Sequence, residues 1–134
     1  MAGFSNYLEL LILDLVFGAV AYTPPATLYA GLSTADPLDS GSGLAEPVGN
    51  GYARVAVVNN ATNWPAAAAG AKANGTVVTF AAATGAWGTI THFVIFDAAA
   101  AGNIIISGAL VTPQAIVAGN TPSFAVGDID ITID

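Results

Sequence analysis

From Ala26 onward, clusters of Gly, Pro, Asn and Asp return so often that the chain is cut into runs too short for ordinary helices. Strands need only about 4 to 8 residues and helices roughly 10 to 12, so such punctuation selects an all-β body. Six runs qualify as strands: "ATLYAGLS" (26–33), "YARVAVV" (52–58), "TVVTFAAAT" (76–84), "GTITHFVIFD" (88–97), "NIIISGALVT" (103–112) and the closing "PSFAVGDIDITID". One or two further short strands fit between them. "TADPLDSGSGLAEPVGNG" and "NNATNWPAAAAGAKANG" read as surface loops, and Pro113 and Gly119-Asn120 break the chain before the last run. The expected fold is mainly β, a β-sandwich or jelly-roll-like domain with one N-terminal α-helix.

That helix lies in "MAGFSNYLELLILDLVFGAVAYTPP". Asn6 can cap its N-terminus with Glu9 in the capping-box position, Gly18 suits the C-terminal cap, and Pro24-Pro25 forbids continuation. Apolar side chains from Leu8 to Phe17 spread around most of the circumference, so the helix is expected to be buried on several sides. A flat β-face covers one side, which leaves the others for a partner chain or, alternatively, for the end of a barrel in the same chain. The segment contains no Lys or Arg, as a secretory leader requires, and Glu9 and Asp14 interrupt any membrane span. The chain thus divides into a helical arm, 1–25, and a single β-domain, 26–134. A chain beginning near Tyr22 is expected to fold by itself.

Composition narrows the function. Apolar residues make up 54% of the 134 residues and charged ones 8%, against roughly 25% charged in an average domain. So few charges cover a lone domain poorly, which suggests an assembly component. Nine acidic residues face only Arg54 and Lys72, for a net charge of −7. Nucleic acid, which is bound by releasing counterions from phosphates, is an unsuitable partner, and so is an anionic membrane. Without cysteine there is no disulfide, thiolate nucleophile or Cys-ligated zinc.

Reaction chemistry is weakly represented. His92, the only histidine, lies in the strand 88–96, where alternation places it with Ile90, Val94 and Phe96 and sets Thr89, Thr91, Phe93 and Ile95 on the other face. Asp97 ends that strand at a turn position, and Ser33 in "GLSTA" lacks the second glycine of a nucleophile elbow. His92 is therefore expected to be structural and the chain not to be an enzyme. In "GDIDITID", Asp128 and Asp130 share a face with Asp134 beyond Thr132, while Ile129, Ile131 and Ile133 take the opposite one. Carboxylates along one strand rarely surround calcium without loop carbonyls, so a solvated outer face is the simpler account. "GSGLAEPVGNG" has no G-K-[ST] and is only a loop. The sequons at Asn60 and Asn74 carry no weight without a leader. No cofactor or metal is implied.

The order of segments is more telling. "YLELLILDLVFG", "YTPPATLYAGLSTADP", "GYARVAV", "NNATNWPAA", "WGTITHFVIFDA", "AGNIIISGAL" and "SFAVGDIDITID" resemble, over nearly the full length, a family of small bacteriophage structural proteins often labelled phage tail fibre protein. The resemblance implies a virion component synthesised in the host cytoplasm. Fibres are usually long repetitive trimers, whereas this chain is one unit without internal repeats. A capsid decoration (cement) protein binding the major capsid protein is accordingly the first choice, with a tail fibre or baseplate component, bound to other virion proteins, as the alternative. A homotrimer is expected, with the apolar helix as its seam. The candidate contact residues are Leu10, Leu11, Leu13 and Phe17, followed by Trp64 and Trp87 as aromatic anchors or, equally, core plugs.

Overall fold

The computed structural model describes residues 2–133. Among them the elements run β1 (Ala2–Phe4), α1 (Asn6–Phe17), β2 (Thr27–Ser33), β3 (Val55–Val58), β4 (Ala71–Ala73), β5 (Val78–Thr79), β6 (Gly88–Phe96), β7 (Ile104–Ile116), β8 (Ser123–Phe124) and β9 (Asp130–Thr132). Seven strands form one sheet in the order β3-β2-β6-β7-β1-β9-β4, and β5 pairs with β8 in a second, two-stranded sheet. Neighbours are antiparallel except β1 and β9, which run parallel. The mainly β fold with a single N-terminal helix agrees with the sequence.

The long hairpin of β6 and β7 is the spine. Its apolar side chains alternate, but not through the whole of β6. The register jumps from Ile90↔Gln114 to His92↔Ala109, so β7 spends extra residues there and the ladder is interrupted, with the bend and added twist that bulges bring. Ile90 consequently packs with Phe93 and Ile95 in the main core, while Val94 and Phe96 form a second cluster with Ile104. The expected row of Ile90, His92, Val94 and Phe96 is broken. Pro113 does not end β7 as its lack of an N–H suggested. It falls inside the irregular stretch, where no ladder donor is required.

Two strands escaped the sequence reading. Ala71–Ala73, assigned to a loop, pairs with β9, and Ala2–Phe4, assigned to the helical arm, lies between β7 and β9. β1 approaches β7 closely because residue 108 is glycine: a Cβ there would sit 2.8 Å from the Phe93 ring and 3.0 Å from the Ala2 Cα. Ala2 is buried in the core and Phe4 packs against it. The start of the proposed 1–25 arm is therefore part of the main sheet. In the run 76–84 only Val78 and Thr79 form a strand, although Phe80 and Ala83 are buried and bond the segment 119–122 through their backbones.

Trp64 and Trp87 belong to the core, at 4% and 5% exposure, and are not surface anchors. Trp87 stacks edge-on against Tyr52 and donates its indole N–H to the Asn50 carbonyl at 2.8 Å. In that position it closes the core with Phe80 and Tyr52, which burial of a large aromatic favours more than exposure does.

One polar network ties the loop before β3 to the β6–β7 turn. Arg54 grips Glu46 through both carboxylate oxygens, at 2.9 and 2.6 Å, and donates to the carbonyls of Ala98 and Ala101, each at 2.8 Å. Its guanidinium lies 3.3 Å from the centre of the Phe96 ring. Tyr52 donates to Glu46 and accepts from the Leu32 N–H. Burial, reinforced by the Glu46 carboxylate, keeps that phenol protonated beyond its usual range, against the opposing pull of the Leu32 hydrogen bond and the Arg54 charge. Gly31 leaves the space for this cluster, since a Cβ there would meet Phe96 at 2.7 Å and the Tyr52 hydroxyl at 3.0 Å. Breaking a buried ion pair by removing one partner costs about 3 to 5 kcal/mol. Arg54→Ala should fall near the lower end because the Glu46 side chain retains 21% exposure. Urea unfolding should show a correspondingly lower midpoint, and an unchanged midpoint would mean the network contributes nothing net.

Candidate functional site

The part of this fold that is poorly satisfied within the chain is α1. It starts where it does because Ser5, not Asn6, is the N-cap: the Ser5 hydroxyl accepts from the Leu8 N–H at 3.3 Å and donates to the Ile104 carbonyl. The cap is thus fixed to β7, and Asn6 becomes the first helical residue. Glu9 in the first turn suits the positive end of the helix dipole. At the other end the Gly18 N–H reaches the Asp14 carbonyl at 2.9 Å, and Ala19, not Gly18, takes the left-handed conformation at φ 52°.

No residue of α1 is buried. Leu8, Leu11 and Ile12 are half-buried, and Leu8 packs on the core of the sheet. The helix therefore covers one side only, short of the burial on several sides that its composition suggests. On the open side Leu10, Leu13 and Phe17 are 64%, 53% and 84% exposed. At about 100° per residue they fall within a stripe about 60° wide. Glu9 and Asp14, both exposed, stand on its two edges. Of the contact candidates read from the sequence, Leu10, Leu13 and Phe17 meet here, Leu11 is half turned inward, and the two tryptophans are elsewhere in the core. The acidic flanks were missed as features of a surface. Their signal was present in the sequence as a carboxylate directly before Leu10 and directly after Leu13.

The residues that suggested chemistry are engaged otherwise. Ser33 lies opposite His92 in the β2–β6 register, but the fully buried Ser33 hydroxyl donates to the Ala35 carbonyl and accepts from the Ala35 and Ala45 N–H groups. His92 shares a hydrogen bond of 2.9 Å between Nδ1 and the Thr91 hydroxyl, and its Nε2 lies 3.8 Å from the exposed Asp36 carboxylate. Asp97 closes the β6–β7 turn by accepting from the Asn103 backbone and side chain at 2.7 and 2.8 Å. Asp128 accepts from the Ala125 N–H at 2.8 Å. Asp130 is exposed on β9, and Asp134 lies outside the described residues. Among the described residues no three His, Asp or Glu side chains gather as a metal site would require. The sequon residue Asn74 is buried, and its amide bonds the carbonyls of Thr76 and Ala125 and the Ile129 N–H.

Over residues 3–132 the sequence matches the family described as podophage GP4 fiber I protein gp80. The chain belongs to this family. The match takes in α1 together with every strand from β2 to β9, so the exposed helix is part of the fiber I unit. Fiber I membership makes the chain a virion structural component that interacts with other virion proteins. It agrees with the resemblance to phage tail fibre proteins drawn from the segments themselves. No curated protein matches the chain. Among the described residues no helix is long and apolar enough to cross a membrane.

Proposed function

We propose that the chain is a small non-enzymatic module of the fibre apparatus, fastened to another virion protein through the open side of α1. The observation that carries this reading is the exposed stripe of Leu10, Leu13 and Phe17 on a helix whose cap and inner face are fixed to the sheet. A rigidly presented apolar stripe is an anchor, since its burial is deferred until a partner supplies the other half. The fibre setting is supported by the family description, which moves the balance away from the capsid decoration first favoured by the sequence. Capsid decoration stays as the second reading because the described residues form one unit without a fibrous repeat.

A phage lacking this chain separates the two. Fibre loss should reduce adsorption to host cells while leaving heat resistance of the filled head unchanged. Cement loss should do the reverse, with DNA released at a lower temperature and adsorption intact. Complementation by a His92→Gln chain should restore wild-type adsorption, because the imidazole serves a local hydrogen bond. Failure of that variant, when folded and incorporated, would point to a chemical role for His92.

A further inference from the structure

A groove of about 280 Å³, its surface almost entirely carbon, lies on the inner side of α1. From its lining we infer that it binds the tail of a single-chain fatty carboxylate, with the head group at Lys72. The groove exists because of the second irregularity in the β6–β7 hairpin. Ile95 pairs with Ile106 and Phe96 with Ile104, which leaves Ile105 as an extra residue of β7. The bulge turns Ile105 to the side of Ile106, and both pack with the main core, whereas Ile104 joins the second cluster. Ser5 holds the bulge in place, its N–H donating to the Ile105 carbonyl at 3.1 Å and its hydroxyl to that of Ile104. Two adjacent isoleucines thus face one groove, which Leu8, Ile131, Ile133 and Trp64 also line.

The lining selects the occupant. A peptide laid in the groove would bury backbone N–H and C=O groups against walls that offer them no partners, which is costly, whereas an acyl chain has no polar group to satisfy. The volume lies at the lower end of small-molecule sites, roughly 300 to 1,000 Å³, and suits one tail, not the two of a phospholipid. Two polar side chains reach the lining, Asn59 and Lys72, and no Asp or Glu does. The Asn59 amide is bound to the Pro25 carbonyl at 2.9 Å. Lys72 is half-buried, and among the described residues its ammonium bonds the Pro65 carbonyl at 2.7 Å. An ammonium has three donors, so an arriving carboxylate can still be met. The Lys72 stem lies along the apolar wall while its charge stands at the rim, as long cationic side chains do.

This site shares no residue with the exposed stripe of Leu10, Leu13 and Phe17, so its test is separate from that of virion attachment. Calorimetric titration of the full chain with saturated carboxylates below their micelle concentrations should show binding, tightening about fourfold per added methylene from octanoate to dodecanoate. Dodecyltrimethylammonium should bind at least about tenfold more weakly than dodecanoate, against the pull of the net charge of −7. Lys72→Met, which keeps the apolar stem, should abolish that preference. Dodecanoate carrying a terminal bromine should quench tryptophan fluorescence in the native chain and not in Trp64→Phe, a change that forfeits no hydrogen bond because the Trp64 indole N–H has no partner. Absence of binding, equal affinity for the two head groups, a preference that survives Lys72→Met, or quenching that survives Trp64→Phe would each overturn the inference. So would displacement of dodecanoate by a short Leu-rich peptide, which would mark the groove as a protein-docking site, or tighter binding to phosphatidylglycerol vesicles, which would mark it as a membrane contact.

Discussion

A chain shortened to begin at Tyr22 should fail to fold cooperatively, contrary to what the sequence suggests. The deletion removes β1, which is the connection between β7 and β9 in the main sheet. The β9–β4 pair would lose its place beside β7, and the paired groups of residues 106–108 would face a gap. Ala2 and Phe4 would leave the core, as would the Leu8 contact, with Phe and Leu burial worth about 1.5 to 3 kcal/mol each. Orphaned backbone groups add to this. The total approaches the stability of a whole domain, about 5 to 15 kcal/mol. Circular dichroism with urea titration decides the matter: a cooperative transition near the full-length midpoint would show that β1 is dispensable.

Substituting Leu10, Leu13 and Phe17 together by serine should have the opposite profile, a preserved fold and a lost attachment. These side chains are already exposed in the chain, so the folded state loses little beyond helix propensity, about 0.5 kcal/mol or less per site. On docking, each would bury apolar area worth roughly 1.5 to 3 kcal/mol. At about 1.4 kcal/mol per tenfold, the combined loss lowers occupancy by about a thousandfold or more. Purified particles from phage carrying the triple variant should contain almost none of the protein by immunoblot, with the variant still cooperative in thermal unfolding. Normal incorporation would exclude the stripe as the anchor.

The His92 neighbourhood shows how far strand alternation carries and where it stops. Parity correctly separated Phe93 and Ile95 from Val94 and Phe96, because all four lie beyond the first register shift and the second, between Ile95 and Phe96, takes its extra residue from β7. It misplaced Ile90, which lies on the other side. A bulge is set by how two distant strands match in length, and nothing within 88–96 records it. The same reason hid β1 and β4. Three residues carry too little pattern to mark a strand, and their pairing depends on partners more than fifty residues away.

By itself the sequence determined the mainly β class, through turn residues that cap the length of every run, and the existence of one helix between a polar cap and the Pro24-Pro25 stop. It also determined the scarcity and sign of charge, because composition needs no geometry. Only the tertiary structure decided that the N-terminus enters the sheet, that Trp64 and Trp87 are core, and that Ser33, though opposite His92, is bound elsewhere. It alone decided which side of α1 stays open, because a helix apolar around most of its circumference has no face until Leu8, Leu11 and Ile12 are turned toward the sheet. That choice is made by the Ser5 cap bonded to β7, a contact 99 residues away in sequence.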